Sequence, residues 1–122
     1  MIIDANIILR CILNDNEELT LKAREIIENN FCFAPTEVIA EVVYVLLKVY
    51  NIPRNEIKNT LFNVFDFVEN EDKNILKQAL IFFEQTKLDF VDCILASYNF
   101  IENKEITTFD KKLNNFINSL KH

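Results

Sequence analysis

The chain has 122 residues, 50% of them hydrophobic and 26% charged, the make-up of one folded domain with one core over residues 1–122. It contains 0 glycines, so neither a G-x-G-x-x-G nor a Walker A loop can be written in it, and any bound phosphate must be held by a metal, by side chains or by a helix N-terminus. A formal net charge of -6 excludes a simple basic clamp for nucleic acid, but not acidic sites whose charge bound cations offset.

The apolar run Met1-Ile2-Ile3 reads as a strand buried on both faces, and it ends in Asp4. Asn6 to about Leu13 reads as a short helix, closed by the turn-favouring Asn14-Asp15-Asn16. Glu18 to Asn29 carries Leu19, Ala23, Ile26 and Ile27 at helical spacing. Phe31-Cys32-Phe33-Ala34 is a second strand, stopped by Pro35. Thr36 is placed as the N-cap of a nearly all-apolar helix that runs to about Val49. Pro53 suits the first position of a helix to about Asn63. Val64–Val68 is read as a third strand. Asn74 to Gln85 and Asp89 to Ile101 are helices, Glu105–Phe109 is a β-prone run ending in Asp110, and Lys111 to Leu120 is a last helix. Short strands alternating with helices point to an α/β fold with a short parallel sheet covered on both faces.

The cysteines Cys11, Cys32 and Cys93 lie in apolar stretches without a C-x-x-C pattern, as reduced packing thiols of a cytoplasmic protein do. The N-terminus has no basic region followed by an adequate apolar stretch, so no signal peptide is expected. No apolar run reaches about 18 residues, so no membrane span is expected.

Asp4 follows the first strand, and Asp110 follows the Thr107-Thr108-Phe109 run in the same way. In a parallel sheet the C-terminal strand ends share one edge, where open α/β sheets bind ligands. Asp92 falls in the first turn of a helix, and Glu41 stands inside the most apolar helix, where a buried carboxylate needs a partner or a metal. Each has an ordinary alternative. Asp4 and Asp110 are also good helix caps. Asp89 and Asp92 are spaced like a capping box. Glu41 also fits a solvated stripe with Glu37 and Lys48.

With these residues in view, the sequence resembles the PIN-domain family, and within it the VapC-like toxins of prokaryotic toxin–antitoxin pairs. MIIDAN is similar to the family's opening strand and D-x-N. PTEVIAEVVYVL is similar to its second motif, with Glu41, LDFVDCILA to the third, with Asp92 and Asp89, and ITTFDKKL to the fourth, with Asp110. The resemblance implies a three-layer α/β/α sandwich around a parallel sheet of four or five strands. It implies Mg²⁺ or Mn²⁺ held by Asp4, Glu41, Asp92 and Asp110, directly or through water, and RNA cleavage by an activated water. Asn6 and Thr108 would then orient ligands or phosphate, with capping and strand packing as their alternatives. A homodimer and a cognate antitoxin are implied as partners, the antitoxin lying on exposed parts of the Asn6–Glu28 helices. Ala5 departs from the family, where Thr is common, and no clear final strand follows Asp110.

The chemistry suits the residue types, because hard divalent cations prefer carboxylate oxygens. No histidine pair is needed, and the single His is His122. Arg10, Lys48, Lys87, Lys111 and Lys112 are candidates for contacting RNA, or are ordinary solvated charges. Three rivals remain open. A phosphoacceptor receiver domain would have paired acidic residues after its first strand, where Ala5 follows Asp4. The other two are a non-catalytic scaffold that binds RNA or protein, and an RNA-processing nuclease with no antitoxin.

Overall fold

The run around Cys32 lies at the middle of the sheet in the computed structural model, which describes residues 1–120. His122 lies outside the described residues. The fold is mixed α/β and rich in helix. The chain divides into two compact units, Met1–Lys73 and Asn74–His122.

In the first unit, strand β1 (Cys32–Phe33) pairs in parallel with β2 (Val68–Glu69), in the register Cys32 to Val68 and Phe33 to Glu69. On its other side β1 takes an isolated parallel bridge from Ile2. Ile3 N–H donates to Phe33 O at 3.0 Å, and Phe33 N–H donates to Met1 O at 2.8 Å. The described residues thus carry two strands and one bridge where four or five strands are expected. The first run is also not buried on both faces. Ile3 is buried, but Ile2 is 74% exposed, which is the alternation of a strand with one buried face.

Helix α1 (Ala5–Leu13) buries Ala5, Ile8 and Leu9 and stops at Asn14, whose left-handed φ of 52° a non-Gly residue other than Asn or Asp seldom adopts. Helix α2 (Glu17–Asn29) is capped by Asn16 and tied back to α1 by Thr20 Oγ1, which donates to Arg10 O at 2.9 Å. Helix α3 (Thr36–Lys48) buries Ile39, Val42, Val43 and Leu46. Its cap position belongs to Pro35, not Thr36, and no side chain bonds there. The Thr36 amide instead donates to Glu71 Oε1 at 3.0 Å. Helix α4 (Arg54–Val64) starts one residue after Pro53, which sits at the cap, and buries Ile57 and Leu61.

The expected strand at Val64–Val68 begins only at Val68. Phe65 N–H continues the helical bonding to Leu61 O at 3.0 Å, and Phe67 N–H turns back to Val64 O at 3.0 Å. The turn buries Phe65 and exposes Phe67, so their spacing mimics strand alternation without a ladder. Lys73 closes the unit, its Nζ donating to Phe65 O at 2.8 Å and Glu69 Oε1 at 3.0 Å.

The second unit is helical. Helix α5 (Lys73–Gln85) buries Ile75, Leu76, Ala79, Leu80, Phe82 and Phe83. Phe82 packs edge-on against Phe100 of α6 (Phe90–Glu102) and Phe116 of α7 (Lys111–Ser119), with ring centroids 5.5 and 5.0 Å apart. Such edge-to-face pairs add to the burial that holds three helices together. The β-prone run Glu105–Phe109 forms no strand. Asn side chains take one carbonyl just before it and one within it, Asn99 Nδ2 donating to Lys104 O and Asn114 Nδ2 to Thr108 O, both at 2.9 Å. No helix among the described residues is long and apolar enough to cross a membrane. Cys32 and Cys93 are buried, Cys11 is half-buried, and none of the three is in a disulfide among the described residues.

Candidate active site

Asp4 stands between the Ile2 bridge and α1, with its Oδ1 accepting from Ile7 N–H at 3.2 Å. It therefore is a helix cap, and the cap fixes where its carboxylate lies. Glu41 is exposed, because it falls on the side of α3 opposite Ile39, Val42, Val43 and Leu46. The expectation of a carboxylate inside an apolar helix is met in sequence but not in burial. Both residues line one cavity of about 300 Å³, together with Asn6 and Arg10. Arg10 Nη1 lies 3.2 Å from Asp15 Oδ1, so its charge is shared with a neighbouring acid.

Sequence reasoning did not anticipate the rest of this cavity. Its walls are Leu9 and Leu13 of α1 and Val45, Val49 and Tyr50 at the end of α3. The signal was present: Glu41, Val45 and Val49 recur every four residues, which stacks them along one helix face.

The second unit holds the other expected residues. Asp89 caps α6, its Oδ1 accepting from Asp92 N–H at 2.9 Å. Asp110 caps α7, its Oδ1 accepting from Leu113 N–H at 2.9 Å. Thr108 Oγ1 accepts from Asp110 N–H at 3.0 Å and so orients that cap. The Asp92 carboxyl is pushed above the ordinary carboxylate range, first by burial, then by the charges of Asp89 and Asp110, and by a side-chain hydrogen bond with Asp89. Like charges and partial desolvation both disfavour its ionised form. Perturbed carboxyls of this kind mark functional-site candidates.

Among the described residues no three His, Cys, Asp or Glu side chains are gathered as a ready metal cage. The donor chemistry nonetheless fits a hard cation. Every candidate ligand is a carboxylate oxygen, and the repulsion among Asp89, Asp92 and Asp110 is what a divalent cation relieves.

The PIN domain family matches residues 1–117. The chain belongs to the PIN domain family. PIN domains are generally nucleases, hydrolases of nucleic acid that use divalent metals. Comparison with curated proteins and with solved structures gives no significant match.

Proposed function

We propose that this PIN domain, one domain over residues 1–122 with the family's three-layer α/β/α arrangement, is a metal-dependent endoribonuclease. It cuts single-stranded or structured RNA by an activated water and serves as the toxin of a VapC-like toxin–antitoxin pair. The observation that carries the reading is the cavity shared by Asp4, Asn6 and Glu41, two carboxylates and an amide from separate helices facing one space.

In this reading Asp4, Glu41, Asp92 and Asp110 hold Mg²⁺ or Mn²⁺, directly or through water. The bound cation supplies charge neutralisation at the phosphodiester and acidifies a water for attack. The chain's own part is to fix the ligands. The helix caps at Asp4 and Asp110 hold two carboxylates by bonds to Ile7 and Leu113. Asp89 holds the first turn of α6 that presents Asp92, and Thr108 holds the turn that presents Asp110. Asn6 offers an amide beside Asp4. Arg10, Lys48, Lys87, Lys111 and Lys112 supply positive charge for the RNA backbone of an otherwise acidic protein.

The toxin part of the proposal is supported by a second cavity of about 400 Å³ lined by Ile8, Cys11 and Ile12 of α1 and Arg24, Ile27 and Glu28 of α2. Its lining is mostly apolar, as a groove for an antitoxin segment requires. The proposal includes a homodimer and a cytoplasmic location.

The deciding test incubates the purified protein with labelled total RNA in Mn²⁺, in Mg²⁺ and in EDTA, beside Asp92→Asn. Discrete metal-dependent cuts that vanish in the variant are expected, and their positions name the target. Equal background in both proteins, despite measured Mn²⁺ binding and no bound antitoxin, would falsify the nuclease reading in favour of a scaffold.

A further inference from the structure

The Asp4–Glu41 cavity is larger than its carboxylates need, and its two ends differ in chemistry. The α1 wall runs from Ala5 through Leu9 to Leu13, and the α3 wall from Glu41 through Val45 to Val49. Each wall runs over eight residue steps, about 12 Å along a helix axis. Acidic and amide groups lie at the start of these runs; one and two turns on lie Leu9, Leu13, Val45 and Val49, and with them Arg10, whose guanidinium is paired with Asp15. At the far end Tyr50 lines the cavity with 43% of its surface exposed. Its position is fixed by the way α3 ends. Tyr50 N–H donates to Val45 O at 3.2 Å, Ile52 N–H donates to Leu46 O at 2.9 Å, and Asn51 between them takes a left-handed φ of 54°.

We propose that the apolar end of this cavity is a base subsite, in which Tyr50 stacks on one nucleobase of a single-stranded RNA whose phosphate lies at the Asp4–Glu41 end. This rests on the nuclease reading for the phosphate and adds to it a residue that selects and positions the substrate. The chemistry argues for a base over other occupants. The carboxylates repel an acidic ligand unless a cation intervenes, so the ligand joins an anionic group to a flat, partly apolar one. A phosphate with its attached base has that composition. A cavity of about 300 Å³ is at the small end of ligand pockets and suits one such group, not a folded segment of RNA. Aromatic stacking also tolerates different bases, since each has a π-face.

The chain contains 0 Trp, so Tyr50→Trp in the full-length protein gives a single fluorescent reporter in the cavity. In Ca²⁺, a hard cation that offsets the carboxylate charge, and over times too short for cleavage, hexa-adenylate is expected to quench this emission saturably. An abasic ribose-phosphate chain of equal length is expected not to, and adenosine monophosphate is expected to bind at least tenfold more weakly than the oligomer. In Mn²⁺, Tyr50→Ala is expected to raise KM for a labelled RNA about tenfold with kcat within twofold, the size of one lost stacking contact, while Tyr50→Phe behaves as wild type. Quenching without any cleavage by the wild type would sink the nuclease reading and leave the base subsite standing. Cleavage that is indifferent to Tyr50→Ala, or equal quenching by the abasic chain, overturns the subsite and leaves the nuclease. Mononucleotide binding as tight as the oligomer also overturns it, in favour of a free-nucleotide site.

Discussion

The backbone amide of Asp92 donates to the carboxylate of Asp89 at 2.9 Å, so one acid caps α6 and the other, three residues on, faces that charge and the charge of Asp110. The arrangement is unfavourable for an ionised Asp92 in the metal-free protein.

The first prediction follows from the raised Asp92 pKa. A group whose folded pKa lies above its unfolded value contributes stability below the unfolded pKa and loses it as pH rises through the folded one. Asp92→Asn, which stays neutral, is therefore expected to melt higher than wild type in EDTA at pH 7. The difference should close on acidification below about pH 4, the ordinary range for Asp. The same variant should lose RNA cleavage by about a hundredfold or more. Calorimetry across pH checks the first part, and a variant that melts below wild type at neutral pH would contradict it.

Glu41→Gln separates function from folding. Glu41 is exposed, and exposed substitutions usually change stability by no more than about 0.5 kcal/mol. The melting temperature should stay within about 2 °C of wild type, while Mn²⁺-dependent cleavage falls by about a hundredfold. Wild-type cleavage by a folded Glu41→Gln protein would remove it from the metal set.

Asp110 has a cap role and a proposed ligand role, and two substitutions divide them. Asp110→Ala loses the bond to Leu113 N–H and should cost about 1 kcal/mol, the usual value of an N-cap. Asp110→Ser keeps a capping oxygen and should recover most of that stability in chemical denaturation. Neither should cut RNA. An active Asp110→Ser would show that the cap alone matters.

Metal should stabilise the folded chain by mass action. At a hundredfold excess over its dissociation constant, Mn²⁺ contributes about 2.7 kcal/mol, or about 10 °C for a domain of this size. EDTA should reverse the shift, and Asp92→Asn and Glu41→Gln should reduce it. An equal shift in all three proteins would mean that the ion binds elsewhere.

Much of this molecule is readable in the chain itself, and the reason is local. The helices are marked by apolar residues every three or four positions and by caps that bond within three residues, as Asp4 does to Ile7, Asn16 to Leu19 and Asp110 to Leu113. Such bonds depend on neighbours in sequence, so their residue types suffice. Asp4, Asp92 and Asp110 are legible on the same basis, as carboxylates at element ends, and Glu41 as an acid inside an apolar helix, in a family order.

What the chain alone misplaced depends on distant partners. The β-prone Glu105–Phe109 forms no ladder among the described residues, because strand formation needs a second backbone that composition does not name. Val64–Phe67 completes a helix and turn, because its amides bond locally to the carbonyls of Leu61 and Val64 and not to a second strand. Thr36 lost its cap role to a carboxylate 35 positions away at Glu71. Tertiary structure also decided that Glu41 faces solvent, that it shares a cavity with Asp4, and that Tyr50 lines that cavity. Sequence determines which chemical groups exist and the local geometry that carries each one. Packing between helices decides which groups face one space, because that depends on how whole faces are buried against one another.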